Sequence, residues 1–109
     1  MSTTPELELT AATEGVAALG RLIRVAMRDT GQSRRVADFL MAWHNAQENG
    51  GWEPTDMWSV DTTIALGILS TLKMLRHTRR YPGDFGCNQE MERIWELWRS
   101  PLKTEGIGK

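Results

Sequence analysis

The chain predicts an all-α fold, a compact single-domain bundle of four main helices with one short additional helical turn. Three observations carry that expectation. Apolar residues recur at i, i+3, i+4 and i+7 in four separate stretches; clusters of Gly, Pro and Asn separate those stretches; and no alternating pattern marks a strand. At 109 residues with 40% hydrophobic content, the chain has the size and apolar material for one modest core.

Residues 1–10, polar and acidic, are expected to be frayed or disordered, residues 11–100 to form the helical domain, and residues 101–109 to be a flexible tail. Helix one is predicted from about Thr13, with Val16, Leu19, Leu22, Ile23, Ala26 and Met27 at helical spacing and Arg21, Arg24 and Arg28 on another face, and it stops at Gly31. Gly15 and Gly20 each weaken it by about 1 kcal/mol relative to Ala, so packing must hold it, and small residues let a neighbouring helix come close. Ser33 is the expected N-cap of helix two, whose stripe is Val36, Phe39, Leu40, Trp43 and Gln47 and whose stop is Asn49-Gly50-Gly51. Pro54 then forces Glu53 to extended geometry, and Thr55 or Asp56 caps a short turn through Met57 and Trp58. Asp61 caps helix three, predicted to run to about Arg80 with Ile64, Ile68, Leu69, Leu72 and Leu75 buried; as the most hydrophobic helix it is placed centrally. Tyr81-Pro82-Gly83-Asp84 breaks it. Asn88 caps helix four, in which Met91, Ile94, Trp95 and Trp98 form the buried stripe before Pro101.

Five tryptophans in so short a chain command much of its packing, because each buried indole removes about 150–250 Å² from water. Trp43, Trp95 and Trp98 lie on helical stripes and are expected in the core. Trp52 and Trp58 flank Pro54 in a surface connection, where they either form a lid over the core or face a partner.

A net charge of −1 removes the general attraction to nucleic acid or anionic lipid that a basic protein carries. The charges nevertheless cluster. Arg21, Arg24, Arg28, Arg34 and Arg35 face only Asp29 in sequence, and Lys73, Arg76, Arg79 and Arg80 crowd the end of helix three, while Glu48, Glu53, Asp56 and Asp61 make the connection acidic and Glu90, Glu92 and Glu96 do the same for helix four. The plain reading is a solvated mosaic surface. The sharper one gathers the arginines of helices one and three with Arg34 and Arg35 on one face, against phosphates or an acidic protein. A helix-turn-helix does not fit, because helix two carries an aromatic stripe where base-reading polar groups belong.

The single Cys87 forms no intrachain disulfide, which agrees with a reducing cytoplasm, and no apolar run approaches the roughly 18 residues of a membrane span. His44 and His77 lie on different helices without further donors at ligand spacing, so no metal, cofactor or catalytic site is expected. A leftover apolar stripe on helix four leaves room for a homodimer.

The block RDTGQSRRVADFLMAWHNAQENGGWEPTDMWSVD, followed by RRYPGDFG and MERIWELWR, resembles a family of small proteins carried on proteobacterial plasmids, integrative elements and prophages. The resemblance covers roughly residues 21–99 and brings no catalytic residue with it. It implies a setting in which small proteins act on host machinery, counter-defence inhibitors of CRISPR effectors among them. The resulting expectation is a non-enzymatic protein-interaction module whose partner is a host protein or ribonucleoprotein complex, bound through Arg34, Arg35, Trp52, Asp56, Trp58, Arg76, Arg79 and Arg80. The alternative is a nucleic-acid-associated accessory protein using an arginine-rich face.

Overall fold

The computed structural model describes residues 5–100, which form four α-helices and two 3₁₀ turns, with no strand among the described residues. The expected flexible tail at 101–109 and residues 1–4 lie outside the described residues. Helix α1 spans Pro5–Ala26. It therefore begins well before Thr13, and residues 5–10, expected to be frayed, are its first turns. Proline suits a first helical position, where its missing N–H has no partner to lose.

Helix α2 spans Gly31–Asn49, and its cap is Thr30, not Ser33: the Thr30 hydroxyl accepts the Ser33 backbone N–H at 3.0 Å and lies 2.7 Å from the Ser33 hydroxyl. Ser33 is thereby buried inside the first turn. Arg34 and Arg35 fall past that turn, where the helix dipole disfavours positive charge only weakly. The helix bends at Asn45, whose backbone is extended (φ −165°, ψ 91°) and whose side-chain oxygen accepts the Glu48 N–H at 3.3 Å. Asn45 thus caps a fresh final turn. Gly50 closes the helix as predicted, with φ 86° and its N–H donating to the Ala46 carbonyl at 2.9 Å.

A 3₁₀ turn at Pro54–Ser59 follows, as expected from Pro54. Helix α3, Thr62–Thr78, starts at the predicted cap, Asp61 accepting the Ile64 N–H at 2.9 Å, and ends at Arg79 in the left-handed conformation (φ 56°, ψ 43°), one residue short of Arg80. The predicted break becomes a second 3₁₀ turn, Pro82–Phe85, and helix α4 covers Asn88–Trp98 with Cys87, not Asn88, at its cap position.

Packing begins with α1 against α3, which run antiparallel: Gly15 meets Met74, and Leu22 meets Gly67. A Cβ at Gly15 would stand 2.2 Å from the Met74 Cβ, so only hydrogen fits there. Close approach through a small residue holds for Gly15 and fails for Gly20, which faces only the tip of Arg24 at 3.9 Å. It is α1, not the more hydrophobic α3, that packs most broadly on the other three helices. The core joins Leu19, Leu22 and Ile23 of α1 to Val36, Phe39 and Leu40 of α2, Ile68 of α3, and Met91 and Ile94 of α4.

The buried face of α3 is Ile64, Gly67, Ile68, Thr71 and Met74, rotated from the predicted stripe so that Leu69 is 51% exposed. Val16 and Trp95 are likewise largely wet, at 46% and 39%. The indoles of Trp43 and Trp98 do pack against the core, and each also donates to a carbonyl near a helix end. Trp98 Nε1 reaches the Ala26 carbonyl at 2.7 Å and Trp43 Nε1 the Arg80 carbonyl at 3.0 Å. The Ala26 carbonyl, at the end of α1, lacks an intrahelical partner, so the Trp98 indole supplies one. Arg99 fastens the end of α4 to α2 through the Asp38 carboxylate and, from Nε, the Asn49 carbonyl at 3.1 Å.

Two outcomes follow for stability in urea. Gly15→Ala is expected to cost about 1–3 kcal/mol through overpacking, whereas Gly20→Ala is expected to gain about 0.5–1 kcal/mol from helix propensity. Arg99→Ala should cost about 1–2 kcal/mol, the lower part of the range for hydrogen bonds to charged groups because the pair is partly wet; thermal melts followed by circular dichroism measure it.

Candidate functional site

The direction of α2 and α3 decides which side chains meet. The Asp61 N–H donates to Gln32 Oε1 at 2.6 Å, tying the start of α3 to the start of α2, while the Trp43 bond ties α2 to the chain just after α3. The two helices are therefore parallel, and residues 50–61 must travel back along the bundle. They do so as a strap laid along α2. Trp52 packs edge-on against Phe39, ring centres 5.0 Å apart at 70°; Asp56 pairs with Arg35 at 2.7 Å; Asp61 reaches Gln32. Each contact moves one step nearer the beginning of α2.

This arrangement separates the roles of the connection's residues. Trp52 is the lid of the two readings the sequence left open, half-buried on the core with an indole N–H that is buried without a partner. An unpaired buried donor costs about 1–3 kcal/mol, so the hydrocarbon area of the ring must be what retains it. Asp56 and Arg35 are not free charges: they neutralise each other, the carboxylate only 15% exposed. Trp58 lies between the Asp56 and Asp61 anchors and is 84% exposed. Arg34 is exposed at the same end of the bundle.

Arg76, Arg79 and Arg80 stand at the other end. Helix α3 is 17 residues long, which puts about 25 Å between its two ends. The arginines of α1 and α3 therefore do not converge. Arg76, Arg79 and Arg80 border an open cleft with Trp43, Leu75 and Tyr81. Arg79 holds a left-handed backbone that costs a non-glycine residue roughly 1–2 kcal/mol.

A different set of arginines does gather. Arg21, Arg24 and Arg28 line a cleft of about 230 Å³ with Leu22, Val25, Thr63, Ile64 and Gly67. The i, i+3, i+7 spacing of these arginines was visible in the sequence, but their meeting with the start of α3 depends on the antiparallel packing.

His44 lines a groove with Glu48, Glu92, Trp95 and Glu96, while His77 borders another with Thr78, Arg80 and Phe85. Among the described residues neither histidine side chain forms a hydrogen bond, and no cluster of three or more His, Cys, Asp or Glu could hold a metal. Burial, and then the charge of Glu90, push the Cys87 thiol up from its ordinary value. It therefore stays protonated near neutral pH, although a place at the start of a helix favours the thiolate. No described helix is long and apolar enough to cross a membrane.

No curated protein and no solved structure matches the chain. Residues 16–99 match a family described as of unknown function, DUF7673, over a span that runs from within α1 past the end of α4 and includes the whole strap. With most of its length inside that match, the chain belongs to the DUF7673 family.

Proposed function

We propose that this protein is a non-enzymatic interaction module that docks a partner protein through Trp58 and, in the setting of a mobile genetic element, inhibits a host defence complex of the CRISPR type. The observation that carries the docking role is the 84% exposure of Trp58 on a connection fastened on both sides. An indole in water contributes nothing to its own fold. Buried against a partner it is among the strongest anchors known, and a pre-braced backbone loses little freedom on binding. The mobile-element setting is supported by the resemblance of the TGQSRRVADFL and GGW blocks. The nucleic-acid alternative has less support, since the basic groups are divided between two ends and an acidic groove lies between α2 and α4.

Surface plasmon resonance against purified CRISPR effector complexes tests the reading. Trp58→Ala should leave unfolding stability within about 0.5 kcal/mol while weakening partner affinity about thirtyfold or more, equivalent to a hot spot above about 2 kcal/mol. Equal affinity of the wild type and this variant would remove Trp58 from the interface, and no binding to any effector complex would remove the counter-defence role. Asp56→Asn should destabilise by about 0.2–1 kcal/mol, the range of a half-exposed pair, and raise amide hydrogen exchange across residues 53–60.

A further inference from the structure

We propose that the cleft between the second half of α1 and the start of α3 docks an acidic amphipathic helix of a partner protein, its carboxylates meeting Arg21, Arg24 and Arg28 while its aliphatic side chains cover the floor. None of these residues belongs to the strap, so the inference is independent of Trp58.

Three cations at i, i+3 and i+7 occupy one flank of α1 over about 10 Å. All three are exposed, and none forms an ion pair or side-chain hydrogen bond among the described residues. Like charges one turn apart repel by a few tenths of a kcal/mol. No acid neutralises the row: Glu14 lies two turns before Arg21 on α1, about 10 Å along the helix axis, Asp29 lies beyond the last turn of α1, and Asp61, at the start of α3, is engaged as that helix's cap. Helical geometry on a partner would repeat carboxylates at the same period, so one face could neutralise the row.

The floor selects among anionic occupants. It is made by buried Leu22 and Ile64, half-buried Val25 and Gly67, whose missing side chain deepens the cleft beside Leu22. An occupant must therefore bury apolar groups as well as bring negative charge, which an amphipathic helix does with alternate positions of one face. A nucleic-acid backbone brings the charge alone, and no aromatic ring lines the cleft for a base to stack on. Thr63, in the first turn of α3, adds a hydroxyl at the rim.

Fluorescence anisotropy on the full chain provides the test. The probes are a labelled peptide of about four helical turns with Glu at i, i+3 and i+7 flanked by Leu, its Lys-for-Glu counterpart, and single- and double-stranded oligonucleotides. The acidic peptide is expected to bind and to weaken as salt rises. Arg24→Glu combined with Arg28→Glu should lower its affinity about thirtyfold and bind the Lys peptide instead, with an unchanged thermal melt showing that these exposed sites preserve the fold. Thr63→Trp, which fills the cleft without altering its charge, should also weaken the peptide, and Trp58→Ala should not. Tighter binding of an oligonucleotide than of the acidic peptide, affinity unchanged in the charge-reversed protein, or no peptide binding at roughly 1 mM would each overturn the proposal.

Discussion

The contact between Gly15 and Met74 sets the spacing of the whole bundle. With no Cβ at Gly15, the backbones of α1 and α3 approach until the methionine stem rests on the glycine, and the same antiparallel register brings Gly67 under Leu22. That tight pair leaves α1 as the member that packs most broadly on the others, although α3 has the richer apolar content. The remaining helices are then fastened at their ends. Trp98 holds α4 to the last carbonyl of α1, Trp43 holds the chain after α3 to α2, and Arg99 joins α4 to both Asp38 and Asn49. Residues with a large apolar body and one donor suit that task, because they bury area and satisfy an orphan carbonyl together.

The helices were legible because their apolar spacing and their stops are local properties. Asn49-Gly50-Gly51, Pro54 and Asp61 each act where the sequence placed them. The start of α2 moved because its local signals compete: Thr30 and Ser33 are both good caps, and the earlier one leaves the later hydroxyl inside the first turn as its partner. Burial was less legible than helicity. Leu69 and Trp95 lie on regular apolar stripes but emerge into solvent, since the width of a buried face depends on how many neighbours cover it. The division of the arginines was not legible at all, because periodicity carries no information on whether α2 and α3 run parallel or antiparallel.

The fold therefore sorts groups that look alike in sequence. Of the two tryptophans flanking Pro54, one seals Phe39 and the other faces water. Of the two arginines after Ser33, Arg35 is taken up by Asp56 while Arg34 remains exposed. The arginines of α1, which sequence order separates from any apolar neighbour in α3, acquire an apolar floor once the two helices pair. Chemical identity names the candidates, and packing decides which of them is available to a partner.

The strap also orders events in time. Its contacts with α2 close loops that lengthen with distance from the Gly50 turn, from Trp52 on Phe39, through 21 residues for Asp56 with Arg35, to 29 for Asp61 with Gln32. Closing a short loop costs less chain entropy than closing a long one, and a contact already made shortens the loop left for the next. The lowest-cost assembly route accordingly zips from the glycine turn outward and delivers the start of α3 to its place last. The α1–α3 clasp, whose Gly15 and Met74 lie farther apart along the chain than any contact of the strap, then forms on a scaffold already half built, which lowers the effective contact order of a topology that parallel helices would otherwise make slow.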